Sequence, residues 1–361
     1  MSEIEQASRD RAASGSIRFN TDSSKLEIYN GEAWFEIDAT SPEQQTGGTR
    51  AVVMGGWGHP VNGTSMIGHI NITTTGNEVD SGGDITTGYS GAGISDRTRG
   101  IRAGYRNDPS PGASMNTIEF VTISIGNDSI DFGDLLAPSA TTQSVSSSTR
   151  GILAGGYENP AGAPSYPRSN TIQYVTIQST GNAIDFGDMA VATSGGASGQ
   201  SPTRGLFLGG SPAPTSANRI NTIQFLTMST LGNTADFGDL TKEAANFGGC
   251  SNAIRSLVSG GAAKDSTTAL NDIEFVTIAT LGNAQDFGDM TATRTNQRNG
   301  GASPTRAIFV GGYGSTSSPY GTNVIDYVEI MTTGNAFDFG DLVDKYNESA
   351  TTISNGHGGL G

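Results

Sequence analysis

Apolar residues fall in short runs along most of the chain, and each run is bounded by glycine, asparagine, aspartate or serine. Residues 170–186 are typical, because the run NTIQYVTI is followed by the pair Gly181-Asn182 and then by AIDF. Short runs rich in β-branched and aromatic side chains, separated by turn residues, predict β-strands joined by tight turns. The pattern therefore favours strands over helices.

The same group of runs occurs six times. Each unit ends in the motif DFGD or a worn form of it, and the first aspartate of the motif recurs every 50 to 54 residues, at Asp80, Asp131, Asp185, Asp236, Asp286 and Asp338. A second landmark is an arginine before an apolar run, at Arg50, Arg99, Arg150, Arg204, Arg255 and Arg306. Self-similarity at a fixed period is the signature of repeat architectures, so residues 47–361 are interpreted as six repeats.

Each unit contains four short β-prone segments, here named a to d. Segment a is a small-residue run before the arginine, b ends in Gly-Gly, c is of the type TIQYVTI, and d contains DFGD. Four strands in about 50 residues is the kelch period, and segment b resembles the strand of kelch repeats that ends in Gly-Gly. The resemblance implies an all-β, six-bladed kelch-like β-propeller with four-stranded blades.

The two ends of the repeat array complement each other. Residues 350–361 look like an a segment with nothing after it, whereas the first unit starts directly at segment b. We therefore expect the C-terminal strand to close the first blade, which would leave no open sheet edge at the ends.

The tripeptide DFG also holds the catalytic magnesium of protein kinases. A catalytic aspartate is needed once, however, and the chain has neither a Gly-rich loop followed by a strand lysine nor an HRD-type loop. The motif is therefore interpreted as structural. The repeated arginines and the aspartates Asp131, Asp185, Asp236, Asp286 and Asp338 are expected to form a ring of ion pairs that sets register.

The b–c loops differ in every unit, whereas the a–b and c–d turns repeat almost unchanged. Loops on a rigid scaffold usually carry binding, so partner contact is assigned to the side formed by the b–c and d–a connections. The candidate contact residues are aromatic: Trp57, Tyr105, Tyr157, Tyr313 and Tyr320. The alternative for the aromatics that open these loops is packing over the edge of the blade after the glycine pair.

Residues 15–38 have a different pattern, with three strands SIRFN, KLEIYN and AWFEI and a tight turn at Asn30-Gly31. A meander of this size buries too little apolar area to be stable alone, so we expect it to pack against copies of itself or a neighbour. The predicted organisation is an N-terminal segment (1–14), a β-meander (15–38), a linker (39–46) and the propeller (47–361).

The meander resembles one that is common in virion and tail-fibre proteins of tailed bacteriophages. The matching residues are Gly15, Arg18, Phe19, Asn20, Leu26, Gly31 and Trp34. Kelch-like arrays with TGN…DFGDL motifs are similar to structural proteins of such phages, especially those of marine cyanobacteria. The resemblance implies a place at the tail or capsid surface of a virion, contact with other virion proteins through the meander, and a homotrimer.

Composition excludes several classes of partner. The net charge of −15 disfavours binding of nucleic acid, whose phosphates require a basic surface. The first residues contain no apolar run and no stretch is long enough to span a membrane, so neither a signal peptide nor membrane insertion is predicted. The single Cys250 excludes an internal disulfide framework. We expect synthesis in a host cytoplasm.

Residues that could support catalysis are few. The three histidines, His59, His69 and His357, do not match the copper site of galactose oxidase, and no HExxH, GxSxG or P-loop motif is present. Calcium at the DFGD turns stays open, since hard cations bind clustered oxygens, although no loop has EF-hand spacing. We predict no enzyme activity and no cofactor.

The sequence thus predicts a non-enzymatic virion protein, a tail fibre or another surface-displayed subunit, that attaches to a glycan or protein receptor on the host cell. One alternative is a purely architectural tail or capsid decoration protein that binds other virion proteins. A third is an enzyme acting on surface glycans.

Overall fold

The structure is a computed structural model that describes residues 13–20, 25–36, 48–58, 63–107, 112–158, 166–214, 216–264, 268–298, 300–314, 321–344 and 349–360. These residues form β-strands and two 3₁₀ turns, Ser216–Asn218 and Gly358–Leu360, with no α-helix among them. The predicted all-β class is confirmed. The chain divides into two compact units, Met1–Gln45 and Thr46–Gly361.

The first unit contains a three-stranded antiparallel sheet, β1 (Ile17–Asn20), β2 (Lys25–Tyr29) and β3 (Trp34–Glu36), as predicted. Its second turn is held by the side chain of Asn30, which accepts hydrogen bonds from the amides of Glu32 and Ala33. Ion pairing and stacking occupy one face, where Arg18 lies 2.7 Å from Glu27 and 4.2 Å over the ring of Trp34.

The other face of this sheet is apolar and exposed. Ile17 pairs with Ile28, and Ile28 pairs with Phe35, so the three side chains are neighbours across the strands. Ile17 is 60% exposed and Phe35 is 53% exposed, and Phe19 on the same face is 60% exposed. Exposed apolar faces are common where proteins bind one another.

The second unit contains six four-stranded antiparallel sheets, and each has its strands in the order a, b, c, d. Sheet 1 consists of β31 (Thr351–Ser354), β4 (Arg50–Trp57), β5 (Gly63–Asn71) and β6 (Val79–Asp84). Sheet 2 consists of β8 (Ala92–Ser95), β9 (Arg99–Ala103), β11 (Met115–Thr122) and β12 (Ile130–Ser139). Sheet 3 consists of β13 (Gln143–Ser146), β14 (Arg150–Ala154), β15 (Thr171–Thr176) and β16 (Ile184–Asp188).

The remaining sheets follow the same plan. Sheet 4 consists of β17 (Ala197–Gln200), β18 (Arg204–Gly210), β19 (Ile220–Thr227) and β20 (Ala235–Asp239). Sheet 5 consists of β22 (Gly248–Ser251), β23 (Arg255–Ser259), β25 (Asp272–Thr277) and β26 (Gln285–Asp289). Sheet 6 consists of β27 (Gly301–Ala302), β28 (Arg306–Val310), β29 (Val324–Glu329) and β30 (Phe337–Asp341). Two short pairs are added, β7 (Gly88–Tyr89) with β10 (Arg106–Asn107) and β21 (Ala244–Ala245) with β24 (Ala262–Ala263).

The apolar core lies between neighbouring sheets. Six clusters of buried side chains are present in the described residues, and each joins two sheets that are consecutive along the chain or joins sheet 6 to sheet 1. In the last of these junctions Val53 and Ile70 of sheet 1 pack with Ile308 and Phe339 of sheet 6. The b and c strands are covered on both faces for this reason, which explains their nearly continuous apolar sequence.

The Gly-Asn and DFGD motifs are the two halves of one contact between sheets. At the junction of sheets 3 and 4, the amide of Gly232 donates to the carbonyl of Phe186 at 3.0 Å. The side chain of Asn233 accepts from the amide of Asp188 at 2.9 Å. Between sheets 6 and 1 the bond from Gly76 to Phe339 O is 2.9 Å long, and equivalent bonds from Gly181, Gly282 and Gly334 bring the number of such junctions to five. At the remaining junction, between sheets 1 and 2, the amide of Asp84 instead donates to the side chain of Asp128 at 3.0 Å, and the amide of Ser129 donates to Asp84 O at 2.8 Å.

The glycine of DFGD is required by this contact. Gly187 has φ +148°, and a Cβ at this position would lie 2.5 Å from the carbonyl oxygen of Gly232 in the next sheet. The glycines in the DFGD motifs of sheets 2, 4, 5 and 6 have the same left-handed φ and face the same turn: Gly133, Gly238, Gly288 and Gly340.

The repeated arginines also connect sheets, but not through the aspartates. Each donates from Nη1 to a backbone carbonyl at the end of strand c in the next sheet, as Arg204 does to Ile278 O at 2.7 Å. The same bond occurs at the other five junctions, from Arg50, Arg99, Arg150, Arg255 and Arg306. In sheets 2 to 6 the guanidinium also stacks on the aromatic ring of its own c strand, Phe225 for Arg204 at 4.7 Å.

The expected ring of ion pairs between these arginines and the DFGD aspartates is thus corrected. A carbonyl and a π face satisfy a guanidinium without a carboxylate. The aspartates instead lie on the exposed d strands, where Asp185 is paired with Gln173 of strand c in backbone register.

The C-terminal strand completes sheet 1, as predicted. β31 pairs antiparallel with β4 in the register Thr351 to Met54. Asn355 then accepts a hydrogen bond from the amide of Arg50 at 3.0 Å. In sheet 5 the equivalent hydrogen bond lies within the a–b turn itself, where Asn252 accepts from the amide of Arg255 at 2.8 Å. Sheet 1 has no continuous a–b turn, and the equivalent hydrogen bond joins the start of the second unit to its C-terminal segment.

At every junction a buried carboxylate or carboxamide, on strand c or in the turn after it, accepts a hydrogen bond from a backbone amide of the preceding sheet. Gln173 accepts from the amide of Leu136 at 2.8 Å and Gln224 from Val191 at 3.0 Å. At the junction of sheets 6 and 1 the accepting side chain is Glu78, which accepts from the amide of Val343 at 2.9 Å. Burial raises the pKa of Glu78 to about 7, and the nearby charges of Asp344 and Asp80 add to this rise, although the hydrogen bond from Val343 opposes it.

We expect Gly187→Ala to destabilise the fold by roughly 1–3 kcal/mol more than Gly181→Ala, as measured by chemical denaturation. Both glycines have a left-handed φ, +148° and +155°, so both variants carry the backbone strain. Only Gly187 faces the neighbouring sheet, since nothing lies within 4 Å of a Cβ on Gly181. If the two variants lost equal stability, the inter-sheet contact would not be the reason for the glycine in DFGD.

Replacing Glu78 by Gln, the residue that sheets 3 and 4 use, should stabilise the protein at alkaline pH. The raised pKa of Glu78 means that its contribution is favourable at low pH and is lost as pH rises from about 4.5 through about 7. The free energy of unfolding of the variant should exceed that of the wild type by about 2–3 kcal/mol near pH 8 and by little near pH 5. The exposed Glu329→Gln is the control, and a pH-independent difference would contradict the assignment.

Candidate binding surface

The b–c loops and the d–a connections lie against each other on one side of the second unit. Strand β7 belongs to the connection between sheets 1 and 2, and it pairs with β10 in the b–c loop of sheet 2. Single bridges repeat this arrangement, for example Ala140 with Tyr157 and Thr295 with Tyr313. These pairings hold the loops at fixed positions. We call this surface the loop rim.

Four aromatic rings and two guanidinium groups form a continuous row on the loop rim, here called the rim row: Trp57, Tyr89, Arg106, Tyr157, Tyr166 and Arg168. The ring of Trp57 lies 4.7 Å from that of Tyr89, edge to face. The guanidinium carbon of Arg106 lies 5.6 Å from the ring of Tyr89 and 6.0 Å from that of Tyr157. Tyr157 in turn lies 5.7 Å from Tyr166 and 5.2 Å from the guanidinium of Arg168. All six residues are half-buried.

The guanidinium groups of the rim row are held by backbone carbonyls. Arg106 donates from Nε and Nη2 to Gly112 O, at 3.2 and 3.1 Å. Arg168 donates from Nε to Ser211 O at 3.3 Å and from Nη1 to Tyr166 O at 2.9 Å. Partial burial lowers the pKa of Arg168 from its ordinary value. Two donors remain, because Nη1 of Arg106 and Nη2 of Arg168 have no acceptor in the part of the chain that the structure describes.

The structure places the predicted contact residues in different environments. Trp57 and Tyr157 belong to the rim row, and Tyr313 is half-buried on the loop rim, where its backbone pairs with Thr295 and Gly321. Tyr320 lies outside the described residues. The expectation for Tyr105 is corrected: this ring is 1% exposed and cannot contact a partner.

The ring of Tyr105 is buried against the arginine of an ion pair. Its ring lies 3.9 Å from the guanidinium carbon of Arg102, which forms a salt bridge of 3.0 Å with Glu119. Arg102 is fully buried, and this burial lowers its pKa while the charge of Glu119 raises it. A buried charge needs such partners, which accounts for the inward position of Tyr105. Tyr105 follows a single glycine, Gly104, and falls one residue before the repeat position of Trp57 and Tyr157, which Arg106 occupies in sheet 2.

Sequence reasoning missed Tyr89, Arg106, Tyr166 and Arg168. Tyr89, Tyr166 and Arg168 lie in connections that do not repeat, whereas Arg106 occupies the repeat position of Trp57 and Tyr157 with a charged side chain. One signal was available: three arginines fall outside the repeated position and inside b–c loops, namely Arg106, Arg168 and Arg219.

A narrow polar cavity lies among the a strands of all six sheets. Its volume is about 30 Å³, and its lining includes Ser95, Ser144, Ser198, Ser251 and Ser354. Several of these hydroxyls bond to the next a strand, as Ser198 does in accepting from the amide of Ser144 at 3.0 Å. A water molecule needs about 10–15 Å³, so the cavity has room for a few waters and not for a sugar.

The C-terminal turn closes one end of this cavity through His357. Nε2 of the imidazole lies 2.9 Å from Ser95 O, while Nδ1 accepts from the amide of Gly359 at 3.1 Å and lies 3.0 Å from Nε2 of Gln200. These partners require a neutral ring with its proton on Nε2. Burial lowers the pKa of His357 to about 4.

Other reactive groups are dispersed. Among the described residues no group of three or more His, Cys, Asp or Glu side chains could hold a metal ion. Cys250 is buried, and burial raises the pKa of its thiol. The buried carboxylates are engaged by backbone amides or arginines at sheet junctions, as Asp326 is by the amide of Thr291 at 3.1 Å and by Arg294.

Comparisons with protein-family models and with curated proteins found no match to this chain. Among the described residues, no helix is long and apolar enough to cross a membrane.

Lowering the pH should weaken the C-terminal closure through His357. Its folded-state pKa of about 4 lies below the ordinary histidine pKa of 6.5, so its stabilising contribution is present above pH 6.5 and is lost as pH falls toward 4. The stability advantage of the wild type over His357→Gln, which cannot ionise, should shrink by about 2–3 kcal/mol between pH 7 and pH 4. An advantage that stays constant over this range would show that His357 does not titrate as described.

Proposed function

We propose that the second unit is a six-bladed β-propeller of the kelch-like type, in which each four-stranded sheet is one blade. The proposal is supported by the return of contacts from sheet 6 to sheet 1, which use the apolar packing and arginine bonds of every other junction and the Gly-Asn turn of four others. A linear array would leave those groups of sheets 1 and 6 without partners.

We further propose that the protein is a non-enzymatic structural protein of a tailed-phage virion, a tail-fibre or other surface-displayed subunit that attaches to the host cell. The observation that carries this proposal is the rim row, because it presents aromatic and cationic groups on preformed loops at the surface. Binding sites are typically built in this way on rigid scaffolds. The small cavity among the a strands offers no comparable volume for a substrate.

The meander is proposed to anchor the propeller in the virion and to hold copies of the chain together, as a trimer. Its face of Ile17, Phe19, Ile28 and Phe35 is exposed, and a sheet of three short strands needs such a face covered to be stable. This face is also the observation that favours the alternative, a purely architectural subunit whose contacts are all with virion proteins.

Binding to cells separates the two roles. Fluorescently labelled full-length chain is incubated with a panel of bacterial strains that includes marine cyanobacteria, and Tyr157→Ala with Arg168→Gln serves as the rim variant. Attachment predicts saturable binding to some strains that the rim variant reduces about tenfold. Binding to none of the strains, together with incorporation of the chain into virions that lack it, would contradict attachment and favour the architectural role.

A further inference from the structure

The rim row is unequally distributed over the repeat. The position after the glycine pair of segment b is aromatic in sheets 1, 3 and 6, but it is Ser211 in sheet 4 and Ala262 in sheet 5. Sheet 2 has the single glycine Gly104, and Arg106 stands at the equivalent position. Contacts of the row run from Trp57 in sheet 1 to Tyr166 in sheet 3, so it crosses three neighbouring sheets without interruption. An uninterrupted row of this kind fits an extended ligand with several similar units better than a single small molecule.

Charge narrows the class of ligand. The chain has a net charge of −15, yet the rim row contains two arginines. Each guanidinium is fixed by carbonyl acceptors, while one nitrogen, Nη1 of Arg106 or Nη2 of Arg168, has no acceptor among the described residues and can bind a ligand. Because the side chains are already immobilised, binding an anion here costs little conformational entropy. Arginine is the side chain best suited to carboxylates.

The remaining groups of the row are π faces that flank the arginines. Arg106 lies between Tyr89 and Tyr157, at 5.6 and 6.0 Å, so cationic and aromatic groups alternate at short intervals. Aromatic faces stack on apolar ring faces, and the tyrosine hydroxyls and the Trp57 indole add polar edges. A ligand in which apolar ring faces and negative charges alternate over a similar distance would match both features.

We propose that the rim row binds an anionic polysaccharide whose sugar rings carry carboxylates. The inference rests on the proposed attachment function and names the chemistry of its receptor. Arg106 and Arg168 bind the carboxylates, while Trp57 and Tyr157 stack on the sugar rings. An acidic protein surface is a different partner and would need a larger flat interface than this narrow row supplies.

The test uses full-length chain and two probes with the same sugar backbone, polygalacturonate and its methyl-esterified form, in affinity electrophoresis. We expect retardation by polygalacturonate that is about tenfold weaker with the ester. Raising the salt from about 0.05 M to about 0.5 M should weaken binding, since screening acts on exposed charges. Equal retardation by both probes, or by neither, would overturn the proposal.

Variants locate the site. Arg106→Gln and Tyr157→Ala should each weaken binding of polygalacturonate about tenfold, and Arg106→Lys should recover part of it because the charge is kept without the planar fork. Phe337→Ala, an exposed aromatic (66%) on strand d of sheet 6, and Lys264→Gln, an exposed cation on a b–c loop, are matched controls. A thermal midpoint within the error of the wild type separates loss of binding from loss of fold.

The outcome is distinct from that of the cell-binding experiment. Saturable attachment to cells that depends on the rim row, without binding of polygalacturonate, would overturn the carboxylate class and leave attachment standing. Binding of polygalacturonate that Arg106→Gln and Tyr157→Ala leave unchanged would overturn the assignment of the site.

Discussion

Most of the sheet junctions in the second unit depend on one contact: at five of the six junctions, the Gly-Asn turn of one sheet bonds to the DFGD strand of the sheet before it. The carbonyl at Gly232 lies so close to Gly187 that a side chain would not fit between them. Since the peptide groups on both sides are held by hydrogen bonds, the main chain limits how neighbouring sheets can shift against each other. The junction of sheet 6 with sheet 1 uses the same contact, from Gly76 to Phe339 O.

Fixing the scaffold in the turns leaves the opposite side of the molecule free to vary. The a–b and c–d turns carry the arginine and glycine contacts, so their sequence is restricted in every unit. The b–c loops carry none of these contacts and differ from one another. Their bridges to the d–a connections, such as Ala140 with Tyr157, nevertheless hold them in place, which allows the six groups of the rim row to be aligned without a helix or a long strand beneath them.

Sequence reasoning succeeded where the signal is local or repeated. The strands, their order within each sheet and the pairing of the C-terminal strand follow from apolar runs, turn residues and the period. It failed where a partner lies in another sheet. Arg204 was assigned an aspartate because the charges are complementary, but its acceptor is Ile278 O, a main-chain atom that every sequence possesses and none identifies. Tyr105 falls one residue earlier in the repeat than Tyr157, because sheet 2 has one glycine where sheet 3 has Gly155 and Gly156, and its ring is buried against Arg102.

The residues just before the a strands have a left-handed backbone conformation, which shows that the chain is tightly constrained there. Six residues with φ between +53° and +68° occupy equivalent positions: Ser90, Thr141, Gly195, Asn246, Asn296 and Ser349. Only one of them is glycine, so five positions carry strain of about 1–3 kcal/mol each. The strain is offset by hydrogen bonds from one to the next, as from the amide of Thr141 to Ser90 O at 3.1 Å and from Ser349 to Asn296 O at 3.0 Å. Ser349 precedes β31, so the strand that completes sheet 1 also contributes to this set of bonds. Closure therefore depends on a short C-terminal segment that is strained, buried and bonded on both sides, which is why its sequence is mostly small residues around the single imidazole of His357.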